Sequence, residues 1–157
     1  MKIKPVLKRL KIKLLPPTLF IICAIFMIVI GLIWPLKNII TSPYNLIGIL
    51  VLFLGLGISI WGSNKFNQVG TNIQTFDEPD ILITDGLFKY SRNPMYLGFL
   101  VVLWGIFIIL GAVSPIILVL IFFIVTDQWY ITFEEEMMVM KFGKKYINYK
   151  SVTRKWI

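Results

Sequence analysis

Three short stretches carry most of the side chains capable of chemistry. In the first, Asp127, Tyr130 and Glu134 stand three and four residues apart and fall, with Met138 and Lys141, on one face of a helix. Charges so near the membrane interior are costly and tend to be functional; the alternative is a solvated helix end. In the second, Arg92-Asn93-Pro94-Met95-Tyr96 has the form of a helix start. Asn93 sits at the N-cap and Pro94 at the first helical position, where a missing N–H costs nothing. The N–H groups just inside such a start carry the positive end of the dipole and can receive a carboxylate or phosphate, with Arg92 as a fixed cation beside them. The alternative is that Asn-Pro simply begins a membrane span and Arg92 reaches to lipid headgroups. In the third, Phe142-Gly143-Lys144-Lys145-Tyr146 opens a basic, aromatic tail with Tyr149, Arg154 and Trp156. Gly143 is suited to ending a helix, and the tail to a lid over a lipid-facing site or an interfacial anchor. Glu135 and Glu136 are expected to face water.

What is missing narrows the chemistry. The 157 residues include no histidine and one cysteine, Cys23, which lies in an apolar run. A histidine-based triad, a haem site and the usual zinc sites are excluded, and no metal site is expected. Hydrophobic residues make up 57% of the chain and charged ones 15%, against roughly half and a quarter in ordinary globular domains. A soluble domain, a disordered chain and a disulfide-stapled secreted module are all ruled out.

The elements that must position these residues are apolar helices. No charge occurs from Leu14 to Leu36, and Thr18–Trp34 is long enough to cross a bilayer. A basic arm before an apolar run also fits a signal peptide, but no small-residue cleavage site follows, so a retained span is expected. Tyr44–Trp61, opened by Pro43, is a second span, in which Gly48, Gly55 and Gly57 favour close helix packing. The uncharged run between Arg92 and Asp127 is too long for one crossing and breaks at Gly111-Ala112-Val113-Ser114-Pro115, as a helical hairpin would. Four spans result, about 18–36, 43–62, 94–110 and 115–133. The last lacks Gly and Pro from Ile116 to Phe142, which predicts a single rod about 40 Å long. The fold class is therefore all-α integral membrane, about four transmembrane helices including a C-terminal helical hairpin.

The chain reads as one domain over 1–157. A basic arm covers 1–17, two transmembrane helices 18–62, and the region bearing the chemistry 63–157. All 16 Lys and Arg residues except Lys37 then fall on one side, with both termini and the 63–93 loop. Excess Lys and Arg marks the cytoplasmic face. The expected protein is multi-pass with both termini cytoplasmic, in a bacterial inner or plasma membrane. The net charge of +8 is met by anionic membrane lipids, and no nucleic acid is needed to account for it.

Three parts of the chain together resemble the isoprenylcysteine carboxyl methyltransferase family, within the wider group that includes the phospholipid methyltransferases. They are Gly70-Thr71 with Leu82-Ile83-Thr84-Asp85-Gly86-Leu87-Phe88; Ser91-Arg92-Asn93-Pro94-Met95-Tyr96-Leu97-Gly98 followed by a hairpin; and Glu134-Glu135 with Phe142-Gly143-Lys144-Lys145-Tyr146, Tyr149 and the ending Val152–Ile157. The resemblance implies an S-adenosyl-L-methionine-dependent membrane methyltransferase, with the cofactor in a cytoplasmic pocket capped by loop and tail. The acceptor would be a lipid or isoprenoid molecule entering from the bilayer and offering a carboxylate, thiol or amine. It further implies Glu134, Arg92 and Tyr96 as catalytic residues and Asp80, Ile81, Leu82, Ile83, Phe88, Asn93, Pro94, Met95, Tyr96 and Glu134 as cofactor-binding. Tyr130 would meet the substrate. Asn93 stands where the family has histidine, which removes an imidazole base, and Tyr130 stands where the eukaryotic enzymes have arginine. Alternatives are an NADPH-dependent membrane reductase of sterol or enone type and a non-catalytic membrane scaffold. The small-residue faces of spans two and three suggest a homodimer.

Overall fold

The structure, a computed structural model, describes residues 14–70 and 80–157. The basic arm from Lys2 to Lys13 and the loop residues Thr71, Asp77 and Glu78 lie outside the described residues. The described chain is helical, and isolated bridges are its only extended pairings. Its helices are α1 (Pro16–Ile33), α2 (Ile47–Val69, led by a short 3-10 turn Tyr44–Leu46), α3 (Pro94–Leu110), α4 (Ile116–Phe142) and α5 (Lys144–Val152). Three helical stretches, Pro16–Ile33, Tyr44–Val69 and Ile116–Phe142, are long and apolar enough to cross a membrane. The fourth expected span, α3, is a shorter apolar helix of 17 residues, about 25 Å long.

Local chemistry explains where the helices stop. α1 begins with Pro16 in its first turn and ends at Ile33, short of the expected 36. Trp34 precedes Pro35, and a residue before proline is disfavoured in helical conformation. α2 runs past the expected 62 to Val69 and is ended by Gly70, in the left-handed region at φ 69°. α3 ends the same way, at Gly111 with φ 65°. α4 departs most from expectation. It is continuous, but Thr126–Tyr130 forms a π-helical turn between the α-helical stretches Ile116–Val125 and Ile131–Phe142.

α3 is the hub of the bundle. α2 lies against it almost backbone to backbone: a Cβ on Gly55 would come within 2.6 Å of Val102 N, and one on Gly105 within 2.6 Å of Leu52 N. Small residues permit such approach in lipid. The small-residue faces expected to serve a dimer are thus packed on each other within the chain. α1 covers α3 and α4 from another side. There Leu19, Cys23 and Met27 join Leu103, Phe107, Val119 and Phe122 in the core, and Phe20 stacks on Phe99 at 4.7 Å. The outward faces of α1 and α2 are apolar and open, with Leu50 72% and Ile25 55% exposed, a surface that belongs in hydrocarbon. At the end of the bundle that holds Lys37, the α1–α2 connection closes on the α3–α4 turn. Ile39 and Ile40 N–H donate to the Gly111 carbonyl at 2.7 and 3.1 Å, and Val113 N–H to that of Lys37 at 3.0 Å.

Candidate functional site

The other end of the bundle assembles the chemistry. The part of α2 beyond residue 62 carries the loop that leads into α3. Lys65 pairs with Asp85 at 2.5 Å and holds its carboxyl below the usual carboxylate range. Phe88 is buried between Trp61 and Phe66, with ring centroids 6.2 and 5.7 Å away. Gly86 (φ 60°) lies under the Trp61 ring with no space for a Cβ. Ser59 Oγ then donates to the Met95 carbonyl at 2.9 Å, and Pro94 is fully buried. The start of α3 is thereby fixed in depth and rotation against α2.

From that start Tyr96 reaches across to α4. Its hydroxyl donates to Glu134 Oε1 at 2.6 Å, and its ring stacks on Tyr130 with centroids 6.4 Å apart and planes 19° from parallel. Tyr130, itself buried, donates to the carbonyl of Leu14, just ahead of α1. The π turn decides which side chains share this face. It takes up one extra residue, which turns the helix before it by about 100° relative to the helix after it. Tyr130 and Glu134 meet Tyr96 as their spacing implies. Asp127 leaves that face and pairs with the tail, accepting from Trp156 Nε1 at 2.9 Å and from Lys155 Nζ at 2.7 Å.

Arg92 and Asn93 stand beside this cluster, but their side chains turn to the tail. The Arg92 side chain is 8% exposed, and its Nε and Nη2 donate to Glu135 Oε1 at 3.2 and 2.5 Å. Its Nη1 donates to the carbonyls of Thr153 and Lys150. Glu135 Oε2 pairs with Lys150. The expectation that Glu135 faces water is therefore corrected: its side chain is 13% exposed, because the tail folds back over it. Glu136 is exposed, as expected. Asn93 makes no side-chain cap; its Nδ2 donates to the Lys155 carbonyl at 2.9 Å, while its N–H is satisfied by Ser91 Oγ at 3.1 Å. Gly143 ends α4 at φ 53° and lets α5 turn back. α5 buries Tyr146 and Tyr149, and Tyr149 donates to the Phe88 carbonyl at 2.6 Å. Burial pushes the Tyr149 phenol up to about 12. Burial and the Glu135 charge push Tyr146 up as well.

The remaining expected residues divide into two groups. Asp80, Ile81 and Leu82, with Thr84, line an open groove of about 580 Å³ whose far wall is Phe142, Lys145 and Asn148. That volume is in the range of small-molecule sites. Ile83 is buried beside the groove rather than lining it, and Phe88 is part of the packing described above. The groove and the tyrosine–glutamate cluster share one face of α4. Glu134, Met138 and Lys141 follow each other at helical spacing, about 10 Å from first to last, and Lys141 meets Asp80 at 3.2 Å. A carboxylate with two stacked phenol faces suits a small organic cation, and the neighbouring groove suits the rest of a larger molecule.

The family model for phospholipid methyltransferases matches residues 44–145, which hold α2, α3, α4, Tyr96, Tyr130 and Glu134, and every groove residue named above except Asn148. Among curated proteins and among solved structures nothing matches the chain.

Proposed function

From the premise that the chain belongs to the phospholipid methyltransferase family, and so is a membrane methyltransferase, we propose that it moves a methyl group from S-adenosylmethionine to a lipid-like acceptor. The observation that carries this reading is the Tyr96–Glu134 contact at 2.6 Å. It joins α3 to α4 where the apolar bundle gives way to loops and tail.

The donor supplies a methyl group on a positively charged sulfur. In this reading Glu134 and the ring faces of Tyr96 and Tyr130 hold that charge. The first turn of α3 directs its N–H groups at the donor's carboxylate, and Asp80, Ile81 and Leu82 hold the remainder along the groove. Tyr130 lies on the acceptor side, next to Leu14 and the start of α1. In-line displacement needs little from the chain beyond alignment, and near-attack positioning contributes of order 7–11 kcal/mol in favourable cases. A carboxylate or thiolate acceptor needs no base. An amine or hydroxyl acceptor gives its proton to Glu134, which Tyr96 orients through its hydroxyl.

The acceptor is an amphiphile whose reactive atom sits at headgroup level while its tail stays in the bilayer. In this reading the site faces the cytoplasm, which the excess of Lys and Arg in the loops and tail favours. Incubating the membrane-embedded protein with methyl-labelled S-adenosylmethionine and total lipid extract tests the reading. A labelled lipid that fails to form with Glu134→Gln is the expected result. Label that appears in no lipid, or equal binding of NADPH in place of the methyl donor, would sink it.

A further inference from the structure

The last residues of the chain make a set of contacts that methyl transfer itself does not call for. Ser91 and Arg154 form a parallel bridge, and Arg92 N–H donates to the Arg154 carbonyl at 3.0 Å. Asn93 Nδ2 holds the Lys155 carbonyl, and the Arg92 guanidinium holds that of Thr153. On the other flank, Asp127 holds Lys155 and Trp156, and the Trp156 ring lies 5.2 Å from Phe123. The segment Thr153–Trp156 is therefore tied to the residues that open α3 and, directly or through Arg92, to α4 at two levels, Asp127 and Glu135. Those levels are about 12 Å apart along the helix. Glu134 lies between them, and Tyr96 lies one turn beyond Asn93.

We infer that this segment is a strap that sets the distance between Tyr96 and Glu134. Arg92 and Glu135 act through it as positioning residues, not as groups that touch the donor. Two observations carry the assignment. The Arg92 fork is engaged on Glu135 and on tail carbonyls. Both oxygens of Glu135 are in turn taken, one by Arg92 and one by Lys150. A guanidinium bound in this way fixes angles as well as distances, and a lysine ammonium does not reproduce its fork. The consequence for catalysis rests on the methyl-transfer reading; the strap itself does not.

Hydrogen exchange and steady-state kinetics on the full chain in lipid nanodiscs test the strap. In Arg92→Lys, and separately in Trp156→Phe, exchange at the amides of Met95, Tyr96 and Leu97 is expected to rise, although Trp156 is bonded to α4. With total lipid extract as acceptor, kcat/KM for S-adenosylmethionine falls roughly tenfold to a hundredfold, mainly through KM. The double variant is no worse than the worse single one, since both release the same segment. Glu135→Gln, which keeps an acceptor for the Arg92 fork, loses less than Glu135→Ala. Unchanged exchange at 95–97 in both single variants overturns the strap. So do losses that multiply in the double variant, or a fall in kcat with KM unmoved, which marks a misfolded fraction. Wild-type protein that binds no S-adenosylmethionine defeats the methyl-transfer reading alone, and the exchange measurements still decide the strap.

Discussion

Glu134 and Glu135 are neighbours with different fates, and the difference comes from helix geometry. One residue turns the chain by about 100°, which aims Glu134 at Tyr96 and Glu135 at Arg92 and the tail. The Glu134 face was legible from the spacing of Tyr130 and Glu134. The burial of Glu135 was not, because it depends on a contact across 43 positions that no local pattern encodes. Hydrogen bonds to charged groups contribute about 1.5–3 kcal/mol, so Glu134→Gln is expected to weaken S-adenosylmethionine binding by roughly 10- to 100-fold in calorimetry. Undiminished affinity would take the carboxylate out of the site. Tyr149 makes a second prediction, with a sign fixed by its raised pKa. The buried phenol titrates at about 12 against 10.0 when unfolded, so the docked tail holds its proton more tightly than the released tail. Its contribution is complete below pH 10.0 and is lost as pH rises through about 12. Proteolysis of the tail across that range should show the alkaline release, and Tyr149→Phe should remove the Tyr149 share of that pH dependence while loosening the tail at neutral pH.

The apolar runs, the hairpin break at Gly111 and the helix end at Gly143 were all legible, because each is written in a run of one residue type or in a glycine. The π turn was not. Thr126–Tyr130 contains no Gly or Pro to announce it, and its effect appears only when Asp127 is found on the tail instead of on the Glu134 face. The extension of α2 to Val69 was also missed, since the apolar run that defined the span ends at Gly62. Gly62 is instead a contact point, where a Cβ would come within 2.6 Å of Met95 Cγ. The α2–α3 packing makes a paired prediction. Gly105→Leu drives a side chain into the backbone of Leu52 and should cost about 1–3 kcal/mol or more in reversible unfolding. Gly57→Ala meets nothing within 4 Å and should be neutral or stabilising by up to about 1 kcal/mol. Equal effects of the two would mean that the glycines are not at a contact.

For the molecule as a whole, the two ends of the bundle differ in kind. One is sealed by backbone hydrogen bonds between the Lys37 connection and the Gly111 turn; the other gathers Leu14, Tyr96, Glu134 and the tail. If the basic side is cytoplasmic, a membrane-impermeant maleimide added to intact cells should label Lys37→Cys and leave Lys144→Cys untouched. Inside-out vesicles should give the reverse, and Cys23, 2% exposed, should stay silent in both. Labelling of Lys144→Cys in intact cells would invert the orientation. The glycine seam between α2 and α3 has one more consequence. A wall with no space for a methyl group has none for an alkyl chain, so a two-tailed guest cannot slip between those helices without prising them apart. On the methyl-transfer reading, a lipid acceptor therefore reaches Glu134 by a face of the bundle other than this seam.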